Sequence, residues 1–280
     1  MTTIALIGAG GKMGTRLSRN LAQSDYQVRH VEVSDAGRQR LKDGLNIDCI
    51  ANGEDAVQGA DAVILAVPDT LIQKISHALS PHIAPGTMVI CLDAAAPFAG
   101  HLPSRADLVY FVTHPCHPPI FNDETTLEAK RDYFGGSHAT QHIVSALMQV
   151  EADRHEAMFD QGEAIAKTIY APVGRTHRVS VEQMALLEPG LSETVCATLL
   201  SVMREAMDEV VARGVSEQCA RDFLLGHMNI LGAVIFDEQP GAFSDACNKA
   251  IENGKPMLMR DDWKKVFEPD AIADSIRRIT

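Results

Sequence analysis

The stretch IALIGAGGKMGTRL, residues 4–17, constrains the fold of this chain more than any other. A short apolar run enters a loop with glycines at 8, 10, 11 and 14, and the loop opens into a helical pattern. Strand, glycine turn and helix in that order begin a dinucleotide-binding βαβ unit. Gly8 is placed for the tight turn, Gly10 or Gly11 for backbone approach to a diphosphate, and Gly14 for close packing of helix on strand. Lys12 and Met13 complete the expected cofactor-binding loop, and the helix N-terminus behind them faces the phosphates.

The alternation of strand and helix continues down the chain. Apolar strands are expected over 28–33, 61–68, 86–93 and 108–115, with helical spacing between them, which makes a doubly wound parallel sheet. A strand-like stretch at 142–149 precedes a helical one at 156–171. From Val181 to Arg213 apolar residues recur at three and four positions. Gly214 is placed as a left-handed cap, and Ser216 as the N-cap of a second helix, EQCARDFLLGHMNILGAVIF. The expected fold is α/β, with residues 1–150 an N-terminal Rossmann NAD-binding domain and 151–280 a mainly α-helical C-terminal domain for substrate and dimerisation.

That second helix is apolar around most of its circumference, so protein must cover it on every side. Either the C-terminal domain covers it or a second subunit does; with fewer than about 100 residues to do so, a homodimer is the expectation. A formal net charge of -12 leaves no general basic face for nucleic acid or an anionic membrane. The first ten residues run into a strand without a basic leader, and no apolar run approaches the ~20 residues of a membrane span. A cytoplasmic location is expected. The cysteines at 49, 91, 116, 196, 219 and 247 form no CxxC pair, so reduced and mostly buried thiols are expected rather than disulfides or a thiolate cage.

Glu32 ends the second strand, 18 residues beyond Gly14. A carboxylate there accepts from a free ribose 2′-hydroxyl and repels a 2′-phosphate, so the cofactor is expected to be NAD, although Arg29 and Arg38 lie nearby. The strand ending in Val67-Pro68-Asp69 delivers its carboxyl end to the ligand crevice. Val67 and Pro68 are placed along the cofactor; Asp69 either contacts ligand or caps the helix that begins at Thr70, with the cap favoured.

The segments GAGGKMG and ILAVP and the long apolar helix resemble the superfamily of prephenate dehydrogenase, 6-phosphogluconate dehydrogenase and ketol-acid reductoisomerase. More closely, THPCHPPIF (113–121), DYFGG (132–136), HIVSALMQ (142–149) and VEQMALLEPGLSETV (181–195) resemble the D-apionate oxidoisomerase family. The likeness runs through nearly the whole chain. It implies NAD-dependent oxidation of a small branched sugar acid, D-apionate, with carboxylate migration to 3-oxo-isoapionate. A divalent cation that polarises the ketone helps such a shift. The rival reading is a dehydrogenase of another hydroxy acid or sugar acid without rearrangement. Against it, the chain lacks the GxGxGxxxKxxNN segment of the 3-hydroxyacid dehydrogenases, and with it an obvious catalytic lysine.

Candidate ligands for the cation follow from position. His114 stands at the carboxyl end of an expected parallel strand, with His117 close behind, and Glu188 and Glu193 flank Pro189-Gly190 among leucines, where a carboxylate needs a partner. His114, Glu188 and Glu193 are the expected metal ligands, and His114 and Glu193 the expected catalytic residues. Imidazole and carboxylate suit zinc or manganese better than calcium, with zinc the expected metal. His117 is expected behind these ligands or on the substrate. The alternatives are a Pro-rich turn whose histidines cap backbone groups, and a first-turn carboxylate at Glu193 favoured by the helix dipole. His227 and Asn229 interrupt the apolar helix, His227 read as a satisfied core histidine. Lys255 and Arg260 are either carboxylate receivers or solvated cations.

Overall fold

The computed structural model describes residues 1–148 and 150–280; Gln149, the last residue of the strand expected over 142–149, lies outside the described residues. The chain divides into two compact units, Met1–Glu188 with Ala273–Thr280, and Pro189–Ile272.

The first unit is built on one sheet. Its strands are β1 (Thr3–Ile7), β2 (Gln27–Val31), β3 (Ala62–Leu65), β4 (Met88–Cys91), β5 (Val109–Pro115), β6 (Gln141–Met148) and β7 (Val173–Arg178). Their order is β2-β1-β3-β4-β5-β6-β7. The first five are parallel, β6 runs antiparallel to β5, and β7 is parallel to β6. Central parallel strands are covered on both faces, which is why β1, β3 and β4 read as unbroken apolar runs and are buried throughout.

Connecting helices cover the sheet: α1 (Lys12–Leu21), α2 (Asp35–Leu45), α3 (Gly53–Val57), α4 (Asp69–Leu79), α5 (Ala95–Phe98), α6 (Leu127–Arg131), α7 (Ala152–Ile169) and α8 (Val181–Ala185). Leu6, Ile64, Ile90 and Phe111 on one face pack with Leu17 of α1 and Phe159 of α7. Ile7, Leu65, Val89 and Val112 on the other pack with Ile72 of α4 and Met184 of α8. The N-terminal Rossmann sheet is the one the sequence predicts.

β7 is an addition that periodicity cannot find. Its sequence VGRTHR has no apolar alternation and is mostly open to solvent. Side-chain pairing holds it instead: Thr176 donates to Glu163 on α7 at 2.6 Å, and Arg178 reaches Glu156, Asp160 and Glu163 while lying over the Phe159 ring.

Helical residues run on from α8. Leu186–Ala197 is wound as a π-helix with Pro189 inside it. Proline cannot donate to the i→i−4 ladder, and a wider turn is one way the backbone accommodates the gap. The second unit continues with α9 (Thr198–Ala212), α10 (Glu217–Ile235) and α11 (Asp245–Leu258). Gly214 follows α9 with a φ of 103°, and the Ser216 hydroxyl accepts from Cys219 N–H to cap α10, both as expected.

Two expectations fail here for one reason, the uncovered surface of these helices. Among the described hydrophobic residues of this unit only Met207, Ala220 and Ile272 are buried, so Cys196 and Cys219 are exposed, and Cys91 is the one fully buried thiol. His227 is exposed rather than a core residue; its Nδ1–H donates to the Phe223 carbonyl and its ring stacks on Phe223. By length and composition, Val181–Ala212 contains an 18-residue window with a mean hydropathy of 1.2, apolar enough to cross a membrane, although Glu188, Pro189 and Glu193 interrupt the stretch.

Candidate active site

The order β2-β1-β3 makes the chain wind in opposite directions from β1, and the crevice opens at the carboxyl ends of β1 and β3. The glycine loop occupies it. Gly8 has a φ of +81°, and a Cβ there would meet the Ala66 carbonyl at 2.4 Å. Gly14 has no room either, since a Cβ would sit 2.1 Å from the Gly8 oxygen, so α1 rests directly on the loop. Gly10 instead packs against Gly37 of α2, and Gly11 has the open side. Gly11 is the N-cap of α1 with no side chain to satisfy the first N–H groups, which leaves them free for an anion.

Glu32 is buried beneath this loop rather than on the surface. Its Oε2 accepts from Gly10 N–H at 2.9 Å and its Oε1 from Ser34 N–H at 2.8 Å. Arg40 donates to the Gly10 carbonyl from outside. Val67 lies against Gly8, and Pro68 is the N-cap of α4. Lys12 lines a cleft of about 620 Å³ with Thr15, Arg16, Arg19 and Arg40. Phe134, from the DYFGG segment, underlies it: the Arg16 guanidinium lies 3.6 Å and the Lys12 ammonium 5.7 Å from the ring centroid. Met13 points the other way, into the core.

Further along the sheet, the ends of β4 and β5 and the first turn of the π-helical stretch after α8 bring Asp93, His114 and Glu188 together, with one ligand atom of each within 4.8 Å of the others. His114 Nε2 is 3.4 Å from Glu188 Oε2, and Nδ1 is 3.7 Å from Asp93 Oδ2. Nδ1 also lies 2.8 Å from the Leu92 carbonyl. A carbonyl only accepts, so Nδ1 carries the hydrogen, and in the neutral ring the Nε2 lone pair points to Glu188. Ala95 N–H donates to Asp93 Oδ1 at 2.6 Å and holds that carboxylate in place. One imidazole nitrogen and two carboxylates, oriented and half-buried, form a donor set that could hold a divalent cation.

His114 and Glu188 are thus brought together as the sequence suggested, and Asp93 joins them. Its signal was its place as the last residue of the GTMVICLD run, where a parallel strand ends in the crevice. Glu193 belongs to the second unit. His117 adopts a φ of 60°; its Nδ1–H donates to the Phe134 carbonyl, and its ring stands edge-on to His114, centroids 6.1 Å apart.

Asp69 departs from expectation. It is the first residue of α4, and no side chain caps that helix. Burial, then the Asp93 charge, with Glu188 adding and His114 opposing, push its carboxyl up to about 6. At the end of β5, desolvation and the Glu188 charge push the Cys116 thiol up, while Arg175 pulls it down.

Two family models match the chain: phosphogluconate dehydrogenase (decarboxylating) C-term over residues 122–280, and NADP oxidoreductase coenzyme F420-dependent over residues 3–96. A D-apionate oxidoisomerase of Cupriavidus necator is 69% identical over 277 residues, 99% of both chains. One of Rhizobium rhizogenes is 68% identical over the full length of both. The fold also matches a crystal structure of a semialdehyde dehydrogenase NAD-binding protein from Cupriavidus necator in complex with calcium and NAD. That match has a TM-score of 0.97 and 68% identity over 100% of both chains.

The Asp69 shift gives a testable stability effect. Between about pH 4 and 6 the folded protein holds the Asp69 proton and the unfolded chain does not, so this group lowers stability as pH rises through that window. In chelator-treated protein Asp69→Asn should raise the melting temperature by about 2–4 °C at pH 7.5, after discounting for partial exposure, and by nothing at pH 3.5. Paired thermal unfolding scans at the two pH values check it.

Proposed function

The chain belongs to the D-apionate oxidoisomerase family, and from that premise we propose that it oxidises D-apionate with NAD and shifts its carboxylate to give 3-oxo-isoapionate. The observation that carries the reading is the Asp93, His114 and Glu188 group at the carboxyl ends of the sheet that holds the glycine loop. Hydride transfer can proceed without a cation, whereas a carboxylate shift beside a ketone gains directly from one that polarises the carbonyl, so a ligand set at this place supports the rearranging reading.

The roles divide along the crevice. The glycine loop and the first N–H groups of α1 hold the cofactor diphosphate, and Val67 and Pro68 lie along its path. Glu32 keeps acceptor capacity for a ribose hydroxyl beyond its two backbone bonds, which supports NAD over its 2′-phosphorylated form. NAD supplies the oxidant, taking hydride from the carbinol carbon while the hydroxyl proton leaves to the protein and then to water. Asp93, His114 and Glu188 would hold a divalent cation, which supplies Lewis-acid polarisation of the ketone. Leu92 keeps His114 in the tautomer that can ligate. Imidazole and two carboxylates make zinc the proposed metal, whereas the similar Cupriavidus necator structure holds calcium. Glu193 is proposed as a further catalytic and metal-binding carboxylate, as the sequence pattern suggests.

A second copy of the chain is proposed to cover α9 and α10. The support is the small core of the second unit together with its exposed Leu200, Phe223, Ile230 and Phe236. Neither nucleic acid nor membrane is part of this reading, and the cytoplasm is its proposed location.

Incubation with NAD, D-apionate and a divalent metal should give 3-oxo-isoapionate by carbon NMR; an unrearranged 2-oxo acid would favour the simple dehydrogenase. Glu193→Gln should lower turnover at least about 100-fold while leaving NAD affinity within about twofold, read by steady-state kinetics and calorimetry. Sedimentation equilibrium should return twice the 30.3 kDa chain mass, and Phe223→Glu should shift it toward the single chain.

A further inference from the structure

The pairing of β6 with β7 contains an irregularity that bears on the site. Gln141 pairs with Val173 and Ile143 with Thr176, so two residues of β7, Gly174 and Arg175, oppose the single residue His142. Bulges are rare in parallel pairs, and where they occur they re-aim a side chain. The bulge is tightly built. Arg175 N–H donates to His142 Nδ1 at 3.0 Å, and a Cβ on Gly174 would sit 2.9 Å from the same imidazole. With the ring in this position, glycine leaves the strand room to pass under it.

The bulge lies in the row next to the proposed metal ligands. His114 is in register with Val144, and Val144 with His177. In the neighbouring row Cys116 N–H donates to the His142 carbonyl at 2.8 Å, and His142 opposes Arg175. Strand spacing and rise place the Arg175 Cα about 12 Å from that of His114, within the span of an arginine, a small acid and an imidazole together.

Arg175 is also uncommitted. Arg178, three positions on, is tied to three carboxylates. The exposed Arg175 guanidinium has neither a hydrogen bond nor an ion pair among the described residues. His142 beside it accepts through Nδ1, so its ring hydrogen is on Nε2, a second donor on the same rim. Asp69 adds a further carboxylate beside the Asp93, His114 and Glu188 group, so an unpaired cation on the neighbouring strand favours an anionic substrate there.

Building on the sugar-acid reading above, we propose that Arg175, aimed by the bulge at Gly174, binds the carboxylate of the substrate through its guanidinium. This makes Arg175 the determinant that selects an acid over the corresponding neutral polyol. Arginine suits the task because its planar fork matches a carboxylate with two parallel hydrogen bonds.

The test uses the NAD- and metal-loaded protein. With Arg175→Ala, KM for D-apionate should rise about 10- to 100-fold, with kcat and KM for NAD changed less than about threefold. Arg175→Lys should fall between. A second arm needs no turnover: calorimetric titration with glycerate and glycerol should show the wild type preferring the acid, and Arg175→Ala losing at least about tenfold of that preference. An unchanged KM in the alanine variant, or an acid preference that is absent in the wild type or survives the substitution, overturns the proposal. If the wild type fails to oxidise D-apionate, the functional reading falls, and the glycerate arm still decides whether Arg175 is a carboxylate receiver.

Discussion

Parallel pairing of β1 with β2 on one side and β3 on the other is the constraint from which the rest follows. Connections leaving the two flanks of β1 must diverge, so the carboxyl ends of β1 and β3 cannot be covered by the chain that leaves them. The glycine loop fills the edge of that opening. It can do so only because Gly8 takes a positive φ and Gly14 lets α1 press on the loop. Glu32 then does two things in one place: it satisfies the Gly10 and Ser34 N–H groups and leaves a carboxylate beside the loop.

The same geometry concentrates negative charge. Asp69, Asp93 and Glu188 come from three separate strand or helix ends, and burial first, then the Asp93 and Glu188 charges, push the Asp69 carboxyl up to about 6. Such a group is stable in a folded protein when a cation shares it or when one member keeps a proton. The Leu92 carbonyl removes the remaining freedom by fixing which nitrogen of His114 faces Glu188. On the edge strand β7, Arg178 is tied to three carboxylates whereas Arg175, in the bulge, has no carboxylate partner among the described residues.

Legibility in the sequence tracked how local each cause was. The glycine loop, Glu32 and the strand ends at Val67 and His114 could be read because each is announced by its own neighbours. The Ser216 cap and the Gly214 stop were legible for the same reason. Asp93 was half legible, as the end of a strand whose place in the sheet was still unknown. β7 and its bulge were not, since VGRTHR carries no periodicity and its partners on α7 lie far away in sequence. Exposure in the second unit was equally hidden, because an apolar pattern says that a surface wants cover but not which chain supplies it.

The sequence by itself determined the parallel sheet, the glycine turn and the Glu32 carboxylate beside it, through periodicity, positive φ and charge acting over a few residues. Only the tertiary structure decided that Asp93 joins His114 and Glu188, that Asp69 shares their field instead of capping α4, and that Arg175 opposes His142. Those outcomes depend on strand order and register, which are set by burial summed over the whole sheet and are written in no single segment.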